Sequence, residues 1–416
     1  MHLAYFMPNQ TGRANVNTRT NVIVVGAGPA GSFAALAAAK RGAEVTVCEE
    51  HKEVGFPNHC PGHISIKGLD KLGLHVPEKT IENRISGAVF YSPSGNEFRV
   101  KLPSPVTYVI NRSMFDRHLT QLAERAGVKL MLETRVEKLA LNDDSVTGVL
   151  LKSGERLESV VVVDAEGCGS TLLKQVGLQT FDRSLAVNAV SGEVVHADCL
   201  EDDTVEVYLG QKYAPGLYAW MIPKRDGSAK VGLATRTGSA KEHLKFFLSN
   251  HPIVSKKIRF SDVQNLSYHL IPLGGPIGKT YHSGFLAVGD AASQVKPTTG
   301  GGVVMGLTCA KIAGETAVQA VQQGDFSGSF MSCYQKRWKQ AIGFDMSAMR
   351  RIRLMLNRLS DKRLDGMIRL CSQLRVDEKL RELGDIDFQG KATLQLLKSP
   401  SAWTIMMYSL VSSLVS

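Results

Sequence analysis

The sequence predicts a composite fold of α/β and α+β type: a Rossmann-like nucleotide-binding domain, an inserted antiparallel-sheet domain and a helical C-terminal region. Three observations predict it. A buried-type strand at residues 21–25 runs into a glycine-rich turn and an alanine-rich helix, as a βαβ unit begins. Between residues 186 and 240 apolar and polar residues alternate, as in half-buried antiparallel strands. From residue 334 onward the pattern is helical and basic.

These patterns divide the chain into four parts. Residues 1–20 are expected to form a flexible extension, and residues 186–279 the antiparallel-sheet domain that receives the substrate. Residues 21–185 and 280–333 together form the discontinuous nucleotide-binding domain, and residues 334–416 the helical region. A chain of 416 residues is long enough to bury two or three cores of this kind.

Composition narrows the class of protein. The seven cysteines are scattered without a Cys-x-x-Cys pair, so no disulfide framework and no metal site is predicted, and we expect a reducing cytoplasm. The closest approach to a membrane span, the apolar run 402–415, is too short to cross a bilayer. The 49 Lys and Arg residues exceed the 39 Asp and Glu residues by 10, which favours an anionic partner.

The first nucleotide-binding motif is Gly26-x-Gly28-x-x-Gly31, between the strand and the helix. The first glycine allows the tight turn, the second admits a pyrophosphate close to the backbone, and the third lets helix and strand pack closely. The helix N-terminus then faces the phosphates. Glu49 ends the next strand, where a carboxylate accepts hydrogen bonds from ribose hydroxyls, and the adjacent Glu50 stays an alternative.

A motif far along the chain decides between a nicotinamide and a flavin dinucleotide. Gly289-Asp290 closes a buried strand, and Gly300-Gly301-Gly302 then leads into a helix. An aspartate there can hold a ribityl hydroxyl, and a glycine-rich helix start can direct backbone N–H groups at the pyrimidine edge of a flavin. The order of the motifs therefore predicts bound FAD, although Asp290 taken alone also suits a helix N-cap.

Two further segments fit the same cofactor. Arg112 stands before a predicted helix at 113–127 and could bind the cofactor phosphates, the alternative being a surface arginine. Asp164-Ala-Glu-Gly167 ends another strand and is expected to turn beneath the first nucleotide-binding motif.

With these motifs in this order, the chain resembles the para-hydroxybenzoate-hydroxylase-type flavoproteins and, within them, the geranylgeranyl reductase family, over roughly residues 20–390. Two segments carry the narrower resemblance. Gly55-Phe-Pro-Asn-His-Cys60-Pro-Gly62 is similar to that family's cysteine-bearing loop beside the flavin, and Pro215-Gly-Leu-Tyr218-Ala-Trp220-Met-Ile-Pro223 is similar to its P-x-x-Y-x-W-x-F-P. Ile222 stands where the family has Phe, which alters one wall of the substrate site.

The resemblance implies FAD as cofactor and reduction of isolated prenyl double bonds. Examples are the saturation of digeranylgeranylglycerophospholipids in archaeal-type lipid synthesis and of geranylgeranyl chains on other carriers. It also implies an external electron donor, which could be a ferredoxin, NAD(P)H or a deazaflavin. The residues that it assigns to FAD are Ala30, Glu49, Arg112, the backbone near Val136, Asp290, Gly302 and Val303, with Cys60, Pro61 and His63 from the loop.

The alternation at Tyr218, Trp220 and Ile222 predicts that two aromatic side chains and one aliphatic share a sheet face. Such a face suits a long apolar substrate, although an ordinary core face gives the same pattern. Alkene reduction needs a hydride at one carbon and a proton at the other, and an aromatic wall can stabilise cationic character between them. The candidate catalytic residues are Trp220 as this wall and Tyr218 or Cys60 as proton donor; Cys60 could instead be a small apolar residue in a tight loop.

The excess positive charge concentrates near the C-terminus. Residues 335–398 hold 15 Lys and Arg against 8 Asp and Glu, which is +7 of the total +10. Apolar residues recur there at helical spacing, and the arginines are assigned to the opposite face: Met349, Ile352, Leu356 and Leu359 against Arg350, Arg351, Arg353 and Arg358. This pattern indicates either a solvated basic face or peripheral docking on the cytoplasmic face of an anionic membrane, with residues 402–415 covering the lipid site or entering the interface.

Other functions are weighed against the reductase. A flavin-dependent monooxygenase or halogenase of the same fold, acting on an aromatic or lipid substrate, is the main alternative. A flavoprotein that only passes electrons at a membrane usually carries an iron–sulfur cysteine set, which the scattered cysteines do not offer. Nucleic acid is not an expected partner, because no recognised binding module accompanies the basic charge.

Overall fold

The computed structural model describes residues 19–197 and 199–383. The predictions for residues 1–18 and for the apolar run 402–415 therefore lie outside the described residues. The strands are β1 (Arg19–Val25), β2 (Val45–Cys48), β3 (His63–Ser65), β4 (Ile81–Ile85), β5 (Gly87–Tyr91), β6 (Glu97–Lys101), β7 (Thr107–Ile110), β8 (Lys129–Met131), β9 (Val136–Asn142), β10 (Ser145–Leu151), β11 (Arg156–Asp164), β12 (Ala186–Val194), β13 (Thr204–Tyr208), β14 (Gly216–Pro223), β15 (Ala229–Thr235), β16 (Val263–Pro272), β17 (Tyr281–His282) and β18 (Phe285–Ala287). The α-helices are α1 (Pro29–Ala39), α2 (Ile66–Lys71), α3 (Arg112–Arg125), α4 (Thr171–Gln175), α5 (Ala240–Asn250), α6 (Val303–Gln323), α7 (Gly328–Trp338), α8 (Phe344–Leu356), α9 (Asp361–Gln373) and α10 (Val376–Leu383).

A mostly parallel sheet forms the nucleotide-binding part of the chain. Its strand order is β17-β18-β11-β1-β2-β8, with the hairpin β9–β10 attached antiparallel to β11. Strand β1 is buried on both faces, as its unbroken valine and isoleucine run predicts, and pairs in parallel with β11 and β2. Helix α6 packs so closely on α1 that a Cβ at Gly314 would lie 2.4 Å from the carbonyl oxygen of Ala34. The Rossmann-like prediction is confirmed.

The second sheet has strand order β16-β12-β15-β14-β13-β5-β6. Its strands pair antiparallel, except that β13 pairs in parallel with β5. Strands β5 and β6 come from residues that the sequence assigned to the nucleotide-binding domain, so this sheet extends beyond the predicted range 186–279. The physical reason is edge pairing: β13 would otherwise present unpaired backbone groups, and β5 satisfies them.

A small three-stranded sheet, β3-β7-β4, is formed by strands that lie between β2 and β8 in the chain. Strand β3 begins directly after Gly62, and β7 ends directly before Asn111. Asn111 then caps α3, since its side-chain oxygen accepts the N–H of Met114. This sheet therefore fixes the ends of the two segments that carry Cys60 and Arg112.

The C-terminal helices α7 to α10 confirm the predicted helical region as far as it is described. A π-helical turn, Lys339–Gly343, joins α7 to α8. The assignment of Arg353 to an exposed basic face is wrong: Arg353 is 5% exposed. The reason is the helical repeat, because Arg353 follows the buried Met349 by four residues and so shares its face. Among the described residues, no helix is long and apolar enough to cross a membrane.

Candidate functional site

The first glycine motif forms a tight turn between β1 and α1. Gly26 has φ +98°, and a Cβ there would lie 2.5 Å from the carbonyl oxygen of Ala165, at the end of β11. A Cβ at Gly31 would lie 1.9 Å from the carbonyl oxygen of Gly26. By contrast, a Cβ at Gly28 would meet no atom within 4 Å. The turn is thus closed on the protein side and open at Gly28, where the unpaired N–H groups of the first turn of α1 begin.

Glu49 follows β2 and braces this turn. Its side chain is buried, and Oε2 accepts the backbone N–H of Ala27 at 2.7 Å. Oε1 accepts the backbone N–H of His51 at 2.9 Å and lies 2.6 Å from Nδ1 of the same residue. A carboxylate has about four acceptor positions, so these contacts leave capacity for a ribose hydroxyl. Glu50, the alternative, lies on the surface and pairs with Arg135.

Arg112 is the first residue of α3, and its side chain is 12% exposed. Its Nε and Nη2 atoms donate to the two carboxylate oxygens of Asp116, both at 3.1 Å. Burial lowers the pKa of Arg112, but Asp116 and the neighbouring Cys60 outweigh it and raise the pKa above the ordinary value. Arg112 is therefore not the surface arginine of the alternative interpretation. It is a fixed cation that could hold a phosphate, and it lies beside the loop cysteine.

The loop that carries Cys60 is held from the substrate sheet. Lys230 on β15 is 4% exposed, and its Nζ donates to the carbonyl oxygens of Pro61 (3.0 Å) and Ile110 (3.1 Å). The same ammonium pairs with Glu82 on β4. The Sγ of Cys60 accepts the N–H of Gly62 at 3.4 Å. Lys230 thus ties the cysteine loop and the segment before Arg112 to one strand of the second sheet.

The third motif meets the first one. A Cβ at Gly289 would lie 2.9 Å from the Cβ of Ala30, and a Cβ at Gly302 would lie 3.2 Å from Oδ1 of Asp290. Asp290, the start of α6 and the first glycine turn therefore surround one region, although they are more than 250 residues apart in sequence. This closeness fits an elongated dinucleotide better than a simple helix cap.

Asp290 has neighbours that the sequence did not suggest. Its Oδ2 lies 3.4 Å from Nε2 of His269 and accepts from the Cys168 thiol at 3.9 Å. The ring of His59 stacks on His269 with centroids 5.7 Å apart. The potential ligand atoms of Cys168, His269 and Asp290 lie within 4.8 Å of one another, a set that a transition metal can accept, whereas the sequence predicts no metal site.

The remaining predicted cofactor residues lie around the same region. Val136 begins β9 and packs against the cluster that contains Val25 and Cys48, at the ends of β1 and β2. His63 begins β3, and its Nε2 lies 2.6 Å from Oγ1 of Thr107. Val303 is the first residue of α6.

Strand β14 carries the predicted substrate wall. Tyr218 and Trp220 are in edge-to-face contact with ring centroids 6.1 Å apart. The Trp220 ring lies against Gly232 of β15, where a Cβ would lie 2.6 Å from Cζ2. Ile222 belongs to the same apolar cluster. The shared face predicted from the alternation is confirmed.

The Tyr218 hydroxyl contacts the loop that precedes α6. It donates to the carbonyl oxygen of Thr299 at 2.7 Å, and burial raises the pKa of Tyr218 to about 12. The sequence names the Tyr218 hydroxyl as a candidate proton donor to the substrate, but in this structure the hydroxyl donates its hydrogen to a backbone carbonyl. The contact links the substrate wall to the glycine-rich segment before α6.

Sequence reasoning missed several residues of this region: His59, Cys168, Lys230, His269 and Arg353. Lys230 and Arg353 could have been found from the sequence, because each is a charged residue at a position where the pattern of its strand or helix predicts an apolar side chain. His59, Cys168 and His269 come together only through tertiary structure, since three separate elements supply them.

Comparisons with known proteins agree with this geometry. The family model described as "FAD binding domain" matches residues 19–314. Two similar proteins are the digeranylgeranylglycerophospholipid reductase 2 of Methanopyrus kandleri, 33% identical over 83% of this chain and 89% of that protein, and the digeranylgeranylglycerophospholipid reductase of Methanocaldococcus jannaschii, 33% identical over 85% and 90%. A geranylgeranyl bacteriochlorophyll reductase-like structure from Thermoplasma acidophilum aligns with TM-score 0.80 at 27% identity, over 85% of this chain and 92% of the other. The flavin-dependent brominase Bmp2 aligns with TM-score 0.64 at 20% identity over 79% of this chain and 86% of the other, which shows the fold alone.

Proposed function

Because the chain belongs to the FAD-binding domain family and, within it, to the geranylgeranyl reductases, we propose that it saturates isolated double bonds of geranylgeranyl chains on archaeal-type glycerophospholipids. It is an FAD-dependent oxidoreductase of this family. The observation that carries the proposal is the hydrogen bond from Tyr218, on the apolar face of β14, to Thr299 in the loop before α6. It joins a surface suited to a prenyl chain to the cofactor region. The names of the relatives support the glycerophospholipid as carrier of that chain.

Each cofactor residue has a proposed task that its surroundings support. Arg112, which Asp116 holds in place, would bind the phosphates, and Glu49 would accept from the ribose. Asp290 would accept from the ribityl chain, and the N–H groups at Gly302 and Val303 would hold the pyrimidine edge. Bound FAD, once reduced, supplies the hydride for the alkene.

The substrate wall excludes water and faces the cation that develops as the double bond is reduced. Trp220 is 7% exposed and lies in an apolar cluster with Leu217 and Ile222, which suits a long hydrocarbon and keeps the site dry. For the proton, the geometry favours Cys60 over Tyr218, because the Tyr218 hydroxyl already donates to Thr299. In its described contacts the Sγ of Cys60 accepts the N–H of Gly62, and the nearby Arg112 interacts with it electrostatically.

The test uses full-length, FAD-loaded protein under anaerobic conditions. Dithionite replaces the external donor, so the result does not depend on whether that donor is a ferredoxin, NAD(P)H or a deazaflavin. With a geranylgeranylated glycerophospholipid, mass spectrometry should show a gain of two hydrogens per double bond. Oxygen insertion under air with no alkene reduction would instead support a monooxygenase, and no change of the lipid would reject the proposal.

The Trp220→Ala variant addresses the wall directly. It should slow lipid reduction by roughly 5- to 30-fold, because removing a large aromatic contact to a developing cation costs about 1–2 kcal/mol. Trp220→Phe keeps an aromatic ring and should retain most of the rate. FAD content, read from absorbance, should equal that of the unmodified protein in both variants; loss of FAD from Trp220→Ala would make Trp220 a structural residue.

A further inference from the structure

Arg353 is a buried cation on α8, far along the chain from the cofactor motifs. Its Nε donates to the carbonyl oxygen of Pro297 at 3.0 Å, and its Nη2 donates to that of Thr298. Its Nη1 donates to the carbonyl oxygen of Gly216 at 3.3 Å and lies 3.4 Å from Oδ1 of Asn357. We propose that Arg353 is a positioning residue that fixes the flavin-side loop, residues 297–301, to the start of the substrate strand β14.

Only an arginine suits this position among the basic side chains. A guanidinium presents five N–H donors in a planar fork, so one group can bind three carbonyl oxygens on two separate segments. The ammonium group of a lysine has its three donors on a single nitrogen, so it cannot reach all three carbonyl oxygens at once. Burial lowers the pKa of Arg353 to about 10, which still leaves it charged at neutral pH. Such a costly buried charge is stabilised here by backbone carbonyls.

The loop is held at three successive residues. The carbonyl oxygens of Pro297 and Thr298 accept from Arg353, and that of Thr299 accepts from Tyr218. Within the loop, the N–H of Gly300 donates to the carbonyl oxygen of Lys296 at 2.8 Å, and Gly300 has φ +72°. Because Arg353 and Tyr218, which are not part of the loop, orient these peptide groups, the chain enters α6 in one fixed direction.

The position of α6 matters because its N-cap Gly302 and its first residue Val303 are assigned to the flavin. The same guanidinium holds Gly216, two residues before Tyr218 on the substrate wall. Arg353 thus sets the flavin-side loop and the substrate wall relative to each other. This inference rests on the proposed function for the identity of the substrate, but not for the cofactor.

The experiment compares Arg353→Met and Arg353→Lys with the control Arg350→Met in the full-length protein. Arg350 lies on the same helix and also donates to one backbone carbonyl, that of Gly274 at 2.9 Å, but it is exposed. Three readings are taken: the affinity for FAD, the visible absorption spectrum of bound FAD, and the hydrogen exchange of a peptide that covers residues 295–303. None of them requires the lipid.

We expect Arg353→Met to weaken FAD binding about tenfold or more, to shift the flavin spectrum and to speed exchange in the loop, because several hydrogen bonds of a charged donor are lost. Arg353→Lys should recover only part of each effect, because the charge returns without the fork. Arg350→Met should resemble the unmodified protein. Equal readings for Arg353→Met and Arg350→Met would overturn the inference, and so would full recovery by lysine.

Two measurements keep the outcome decisive. If Arg353→Met does not fold, Arg353→Lys alone decides, and Tyr218→Phe, which removes one hydrogen bond to Thr299, should loosen the same peptide to a smaller extent. With lipid added, the Arg353 variants should raise KM as well as lower kcat, since the wall moves relative to the loop. A loosened loop with no lipid reduction in the unmodified protein would count against the proposed function and not against this role of Arg353.

Discussion

Asp290 owes its properties to the side chains around it. Burial and the adjacent carboxylate raise the pKa of Cys168, so the thiol stays protonated, and its single hydrogen is shared between the carbonyl oxygen of Leu270 at 3.2 Å and Oδ2 of Asp290 at 3.9 Å. Burial, and then His269, lower the pKa of His59, which keeps the stacked ring neutral. Asp290 is thus a partly exposed carboxylate with weak local donors, and it retains capacity for a ribityl hydroxyl.

Asp290→Ala should therefore weaken FAD binding by roughly 10- to 100-fold, since a hydrogen bond to a charged acceptor contributes about 1.5–3 kcal/mol. Titration of metal-free apoprotein with FAD, followed by flavin fluorescence, measures it. Asp70→Ala, which removes an exposed carboxylate from α2, is the control and should bind FAD normally. Unchanged affinity in Asp290→Ala, together with zinc binding that is lost in the variant, would instead assign this cluster to a metal.

At the level of elements, local pattern predicted the β1–α1–β2 opening to within a few residues. Glycine spacing and a continuous apolar strand both act over short range there. Strand β16 escaped prediction because its sequence does not alternate strictly, and it pairs with β12 across an irregularity between Ser191 and Glu193. The recruitment of β5 to the second sheet depends on pairing between distant segments, which no local pattern contains. The same limit applies to Arg353, whose partners come from two other segments.

Helix α5 is joined to the second sheet by a buried histidine, which gives a pH-dependent prediction. His251 is fully buried at the end of α5, with Nε2 3.2 Å from the carbonyl oxygen of Ser92 and Nδ1 accepting the N–H of Ile253 at 3.3 Å. Burial lowers the pKa of His251 to about 4. The unfolded chain takes up a proton at this histidine near pH 6.5, whereas the folded chain does not. The contribution of the neutral, buried His251 to the free energy of unfolding is therefore fully present above pH 6.5 and is lost as the pH falls toward 4.

From this group alone, the free energy of unfolding should decrease by about 2 kcal/mol between pH 7 and pH 5. Urea denaturation at both pH values measures the change. His251→Gln cannot take up the proton and should show a smaller decrease, even if its stability at pH 7 is lower. His196→Gln, at an exposed position, is the control. A decrease in His251→Gln as large as in the unmodified protein would contradict the assignment.

At the scale of the whole molecule, the basic surface of the C-terminal region does not include Arg353, because this residue is buried. Arg350, Arg351 and Arg358 remain exposed on or just after α8, and Met349 packs inward. The sequence pattern therefore predicted an amphipathic helix correctly but assigned one residue to the wrong face. Peripheral docking on the cytoplasmic side of an anionic membrane stays our proposal, and these three arginines are the exposed members of the basic set that the sequence assigned to this helix.

A prenyl lipid with two long chains has negligible solubility in water, so a protein that reduces it must collect it at a bilayer. Basic residues near an anionic surface contribute about 1 kcal/mol each, so replacing Arg350, Arg351 and Arg358 together by Gln should weaken vesicle binding by roughly 100-fold. Co-sedimentation with anionic and neutral vesicles measures it, and binding should also fall as salt shortens the screening length from about 10 Å at 0.1 M. The matched control replaces Lys241, Lys245 and Lys256, three exposed lysines at or near α5, and should bind as the unmodified protein does. Equal losses in the two triple variants would show a general charge effect, and equal binding to neutral vesicles would exclude electrostatic docking through α8.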